Sequence, residues 1–248
     1  MESLIQDTIR KSRVPARLDF FQSATGLILG LFMWAHMCLV ASIIIGKDAF
    51  YFVAKLMEAT FLSPTGEGYP ILVSFAAIGI FTLFIIHAAL GVRKFPANWR
   101  QLKILKQHVI MLNHGDTTLW FIQFITGFIM FFLGSVHLYF MITHPSMIGP
   151  YASADRIISE WFWPLYLVLL FSVELHGTIG LYRLCVKWGW FDGKDPRKTR
   201  RKLQAFEKIL SVVFILLGIT ALIVFSYIGI EHKDRVGQRY SPHYSAIK

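Results

Sequence analysis

Five stretches of this 248-residue chain are each long and apolar enough to cross a bilayer, and that leaves few folds open. A spanning helix needs about 20 predominantly apolar residues. The runs at 22–46, 70–92, 117–143, 161–184 and 206–230 all meet that length. Lipid offers no hydrogen bonds, so a spanning backbone must satisfy itself as a helix or a closed barrel. Barrel strands would show alternating segments of about 10 residues, and no such pattern is present. The fold class is therefore all-α: an integral membrane bundle of five transmembrane helices. Residues 1–21 read as a polar lead with Pro15 breaking any early helix, 22–230 as one membrane domain, and 231–248 as a tail. The lead lacks a signal-peptide core and a small-residue cleavage site, so no cleaved signal is expected.

The net charge of +10 would suit a nucleic-acid partner if it formed one patch, but it follows the span boundaries instead. Eighteen of the 25 Lys and Arg lie on one face: four before span one, five between Arg93 and Lys106, and nine between Arg183 and Lys208. The opposite face holds seven. The imbalance predicts a cytoplasmic N-terminus and an external C-terminus, with no nucleic acid involved. Such a basic face suits anionic membrane lipid or a soluble partner. Cys38 and Cys185 sit in different spans, form no CxxC or CxxCH motif, and read as small core residues.

Four of the nine histidines lie inside spans, one each in spans one to four. Taken singly, each is explained by a hydrogen bond across the bundle. Their depths make a pattern. His87 lies six residues from Arg93 and His176 seven from Arg183, so both sit roughly 10 Å from the basic face. His36 lies nineteen residues beyond Arg17 and His137 twenty-one beyond Asp116, so both sit roughly 30 Å in. The result is two layers of two imidazoles, each layer drawn from two helices. Bis-histidine haem needs that arrangement, and without CxxCH the haems would be noncovalent and b-type. Gly134, Gly91 and Gly180 sit one turn from a ligand and are expected to clear space for a flat guest. Gly26 and Gly30 read as a small face for close helix packing.

Two acids stand out. Glu58 lies in a short predicted helix (residues 49–61) outside span one, where a solvated carboxylate needs no explanation. Its sharper role is general base for a quinol hydroxyl near the outer haem. Glu174 lies mid-span, where ionisable groups mark function by default. It points about 200° around the helix from His176. A neutral group hydrogen-bonded between helices and a proton relay both remain open for it. Asp116 or Thr117 is expected to cap span three.

The blocks RKSR-P-ARLDF-QSATG, KFP-N-RQ, HGDTTLW, FFLGSVHLY and SEWFWPLYLVLLFSVELHGTIGLYRL-VKWGWFDG resemble the dihaem cytochrome b subunit of menaquinol:fumarate reductases. The resemblance covers roughly residues 11–230 and is weakest in the 57–69 loop and the tail. It implies an anchor in the cytoplasmic membrane for a flavoprotein and an iron–sulfur subunit, with menaquinol as substrate; a dimer of heterotrimers is compatible with it. By block, the haem ligands correspond to His87 with His176 on the cytoplasmic side and His36 with His137 on the outer side. Glu58 matches the quinol-site carboxylate and Glu174 an acid assigned to a proton pathway. Gln22, Ser23, Trp120 and Lys187 correspond to propionate contacts of the cytoplasm-side haem, with Arg156 as the outer counterpart. The same anchor could run in reverse as a succinate:quinone reductase, and membrane histidine pairs also occur in hydrogenase and formate dehydrogenase anchors.

Overall fold

The computed structural model describes residues 13–64 and 66–243. Arg10, Lys11 and Lys248, which count toward the charge asymmetry, lie outside the described residues, as does the lead up to residue 12. The described residues form helices α1 (Val14–Val40), α2 (Ser42–Ile45), α3 (Lys47–Met57), α4 (Ile71–Val92), α5 (Trp99–Leu112), α6 (Gly115–Thr143), α7 (Pro150–Ile158), α8 (Trp163–Trp188) and α9 (Pro196–Glu231). Short 3-10 turns cover Thr60–Leu62 and Lys233–Arg235. Five helical segments, Val14–Ile45, α4, α6, α8 and α9, have the length and composition of membrane spans.

Four of these spans close into a ring in which α1 packs on α4, α4 on α6, α6 on α8, and α8 back on α1. The fifth, α9, lies outside the ring against α8 and α7. At the end opposite the basic loops, Ile43, Phe50, Ala154, Ile157, Ala221, Phe225 and Ile228 form one buried cluster. Phe50 meets Phe225 edge-on there, with ring centroids 5.1 Å apart. Along the rest of the ring many large apolar side chains are exposed, as a bilayer solvent allows, while Met33, Phe84 and Leu170 turn inward to line the central space.

Local chemistry moves several predicted boundaries. Pro15 does not break a helix: it occupies the first turn of α1, where its missing N–H is no loss, so span one begins at Val14 rather than Gln22. The last span also starts early, because the Asp195 carboxylate accepts from the amides of Arg197 and Lys198 at 3.0 and 3.1 Å and Pro196 follows it. Neither Asp116 nor Thr117 caps α6, which begins after His114 without a side-chain cap. Asp116 instead accepts from the Tyr182 hydroxyl at 2.7 Å and pairs with Arg200 at 3.2 Å. The basic loop contains a helix, α5, capped by the Asn98 side chain on the Gln101 amide. Cys38 is exposed on the lipid side and Cys185 is half-buried, so neither is a core residue. The helix predicted over 49–61 runs from Lys47 to Met57 and stops one residue before Glu58.

Candidate functional site

A cavity of about 1400 Å³ runs through the ring, from Gln22, Lys187 and Arg93 at the basic end to Met57 and Arg156 at the other. All four intramembrane histidines line it. They pair across the two diagonals of the ring rather than along its edges. His87 of α4 faces His176 of α8, with ring centroids 6.3 Å apart and planes at 88°. His36 of α1 faces His137 of α6, with centroids 6.1 Å apart and planes at 56°. A metal–imidazole bond of about 2 Å puts the centroids of two rings on opposite sides of one ion roughly 6 Å apart. Both pairs therefore have the donor set and spacing of a bis-imidazole metal site.

Hydrogen bonds orient the pair at the basic end. The Nδ1–H of His176 donates to the Gln123 carbonyl at 2.9 Å. Nδ1 of His87 lies 3.1 Å from Thr25 Oγ1, whose own proton goes to the Phe21 carbonyl at 2.8 Å, so the imidazole is the donor. Both rings are thus left with Nε2 bare, the form a metal requires, and tethered by a second partner. At the other pair, His137 Nδ1 is buried without a hydrogen-bond partner, and the ring meets Tyr166 edge-on at 5.6 Å. His36 stacks on Phe32 at 5.6 Å.

Two glycines make this geometry attainable. A β-carbon at Gly26 would stand 2.8 Å from Cε1 of His87, and one at Gly127 would stand 2.7 Å from Cε1 of His176. Each glycine lies on a ring helix flanking the histidine it accommodates. Gly26 therefore serves His87 rather than helix packing, whereas Gly30 does pack, on Leu181. Gly91, Gly134 and Gly180 all line the cavity, as their spacing predicts.

Polar groups gather at the two cavity ends. At the basic end, Lys187 donates to Ser23 Oγ at 3.2 Å and stands 3.6 Å from Asp19, which also pairs with Lys94 at 2.9 Å. Gln22 Oε1 is buried without a partner, and Trp120 stacks on Phe124 with centroids 6.1 Å apart. Arg93 and Lys94 share this lining, so the candidate anion contacts extend beyond Gln22, Ser23, Trp120 and Lys187. At the far end, Arg156 is buried at 4% exposure, donates to the Met147 carbonyl and lies 4.0 Å over the Phe140 ring. Its Nε has no partner, and no carboxylate among the described residues is within ion-pair reach.

The two acids are buried differently. Glu58 is 2% exposed, not a solvated loop residue, and pairs with Lys55 Nζ at 2.7 Å. Gly68 holds the loop over it: φ is +78°, and a β-carbon there would strike Glu58 Cβ at 2.9 Å. Met57, the residue before it, lines the cavity, whereas Glu58 itself is not part of the lining. Glu174 is fully buried, and neither carboxylate oxygen has a hydrogen-bond partner. It lies outside the cavity wall that His176 belongs to, on the face of α8 turned to α9.

The spacing of the histidines marks the cavity, but Thr25, Gly26 and Gly127 become legible only once the facing helices are paired. Glu207 is likewise inconspicuous in sequence, because it sits beside Lys208 at the edge of an apolar run.

With this geometry in hand, relatives are informative. The family described as succinate dehydrogenase/fumarate reductase transmembrane subunit matches residues 98–218. Over 225 residues, 91% of this chain and 87% of the relative, the chain is 54% identical to the fumarate reductase cytochrome b subunit of Wolinella succinogenes. Over 226 residues it is 50% identical to the fumarate reductase cytochrome b subunit of Helicobacter pylori, covering 91% of this chain and 86% of the relative.

Proposed function

Because the chain belongs to the fumarate reductase cytochrome b subunits, membrane anchors of the quinol:fumarate reductase and succinate:quinone oxidoreductase family, we propose that it holds two b haems, one between His87 and His176 and one between His36 and His137. The observation that carries this reading is the pair of cross-diagonal imidazole spacings, 6.3 and 6.1 Å, inside one continuous cavity. Bound there, the haems would supply single-electron carriage along the bundle, from menaquinol at the outer end to an iron–sulfur and a flavoprotein subunit on the basic, cytoplasmic face.

The chain's own residues do the rest. Gln123 and Thr25 accept from Nδ1–H of the basic-end imidazoles and so leave Nε2 bare and aimed at the cavity, as outer partners of metal-bound histidine do. Gln22, Ser23, Trp120 and Lys187 receive propionate groups at the basic end, and Arg156 receives one at the other. Glu58 accepts the quinol proton as general base, with the Lys55 ammonium at 2.7 Å balancing its charge. Two negative charges moving inward from an outer quinol site would work against the membrane potential, at about 2.3 kcal/mol per charge per 100 mV. A proton passed inward by Glu174 would cancel that work.

Haem stoichiometry and a reduced-minus-oxidised spectrum of the purified chain test the reading. A second haem absent, or no haem at all, refutes it. Glu58→Gln is expected to keep both haems and fumarate reduction from artificial donors while losing quinol oxidation.

A further inference from the structure

Asp155 and Arg156 are neighbours on α7, yet they serve different sides of it. Successive helical residues point about 100° apart. Arg156 faces the cavity, whereas Asp155 is absent from the lining and buried. Both of its carboxylate oxygens are engaged by the end of α9 and the tail beyond it. Oδ1 accepts from Nδ1–H of His232 at 2.8 Å, and Oδ2 accepts from the Gly237 amide at 3.0 Å. One turn before Asp155 on the same face, the Tyr151 ring stacks on the His232 imidazole, with centroids 4.1 Å apart and planes at 15°. Gly229 makes a third contact, since a β-carbon there would stand 2.6 Å from the Ala154 carbonyl oxygen. We propose that Asp155 and His232 are positioning residues for Arg156, locking α7 onto the end of α9 so that the guanidinium is presented to a carboxylate of the outer haem. The proposal rests on the reading of Arg156 as a propionate contact and adds what holds it in place.

The lock answers a physical need. Helix α7 has nine residues and no side-chain cap at its start, and a helix that short holds its shape only through packing. It also carries Arg156 into a buried place with no carboxylate in ion-pair reach among the described residues. An uncompensated buried cation favours any movement that returns it to water. A short helix free to turn or lift would make that movement, and the grip on His232 opposes it.

The choice of residue at 232 agrees. His232 is 1% exposed, and its Nε2 is buried without a hydrogen-bond partner. A phenyl ring would fill that space and stack on Tyr151 without leaving a buried acceptor unpaired, so packing alone does not account for an imidazole. The Nδ1–H bond to Asp155 does.

The test uses the purified intact complex, read by haem content per chain, a redox titration of the two haems and amide hydrogen exchange in residues 150–158. His232→Phe keeps the ring stack and removes the donor. It is expected to speed exchange in α7, to release the His36/His137 haem on dilution and to shift the midpoint potential of that haem. The His87/His176 haem is expected to stay unchanged, as the sign of a folded bundle. His232→Asn, whose amide nitrogen can take the place of Nδ1, is expected to restore native behaviour. Native occupancy and potential of the outer haem in His232→Phe overturn the proposal, whatever α7 exchange does. Loss of both haems together assigns the contact to general folding and also overturns it, as does loss of the outer haem with α7 exchange unchanged. An equal defect in His232→Phe and His232→Asn overturns it as well, because the bond to Asp155 is then not what matters. Retention of the outer haem in Arg156→Met removes the reading of Arg156 and this proposal with it, whereas its loss there beside a native His232→Phe overturns the lock and leaves that reading standing.

Discussion

Gly127 of α6 backs directly onto the imidazole of His176, so that a β-carbon at 127 would stand 2.7 Å from Cε1 and 2.9 Å from Nδ1. The ring cannot retreat freely, because its Nδ1–H is tied to the carbonyl of Gln123 on the same helix. A single methyl group at 127 must therefore move the ring and break that bond, or spread α6 from α8. Gly127→Ala is expected to lose the haem of the His87/His176 pair while keeping the other, as read by haem content per chain. Gly26→Ala should do the same through His87, where the approach is 2.8 Å. Gly79→Ala is the control, since Gly79 is exposed, lies outside the cavity lining, and its β-carbon would meet nothing within 4 Å, so both haems should stay.

Thr25 acts one step further out. Its hydroxyl takes the Nδ1 proton of His87 and fixes which nitrogen faces the cavity. Thr25→Val keeps the shape and removes the acceptor, and losses of outer-shell partners reduce metal affinity by about 10–100-fold. The expected outcome is faster haem release on dilution and a shifted potential for that haem alone. An unchanged release rate would show that the ring is oriented by packing.

Which parts of this arrangement are visible in sequence follows from the range of the interactions. His36, His87, His137 and His176 can be sorted into layers because helix rise converts residue spacing into depth, and no tertiary contact is needed for that step. The five spans are equally local. By contrast, the helices facing each histidine cannot be read from spacing, so Gly26 looks like an ordinary packing glycine and Gly127 attracts no notice. The burial of Glu58 depends on a left-handed Gly68 folding the loop back over it, again a contact between distant positions. Helix α7, which carries Arg156 into the bundle, is nine residues long and lies inside a stretch that reads as loop.

The tail offers a pH test. Asp48, at the start of α3, accepts from the Tyr240 hydroxyl at 2.7 Å and contacts His243 Nδ1 at 3.2 Å. The Tyr240 hydrogen bond, with smaller help from His243, holds the Asp48 carboxyl below its ordinary value of 3.8. A carboxyl with a depressed native pKa binds fewer protons folded than unfolded. Its contribution to tail docking is therefore complete above 3.8 and vanishes only as pH falls through the lower native value. Hydrogen exchange in residues 233–243 should stay slow through neutral and mildly acidic pH and rise only in stronger acid. Asp48→Ala should expose residues 240–243 already at neutral pH; equal protection in that variant would assign docking to the Tyr151 ring, whose centroid lies 5.1 Å from that of Tyr240, and to Asp155, which accepts from the Gly237 amide at 3.0 Å.

Arg156 supplies the last prediction. A buried cation normally has an anion beside it, because an uncompensated buried charge destabilises by about 3–5 kcal/mol. The protein gives Arg156 a carbonyl, at Met147, and the face of Phe140, but no carboxylate within ion-pair reach among the described residues. Its Nε has no acceptor, and the side chain lines the cavity within the same end as His137. The missing anion is therefore expected from the guest of the His36/His137 pair. Arg156→Met should lose that haem and keep the His87/His176 haem, while Arg156→Lys, which retains the charge without the planar fork, should hold it more weakly than the native chain. Haem content and the reduced-minus-oxidised spectrum distinguish the two pairs. Retention of both haems in Arg156→Met would mean that the guanidinium serves Phe140, Met147 and Tyr166, and that the charge is balanced from outside the chain by water or lipid.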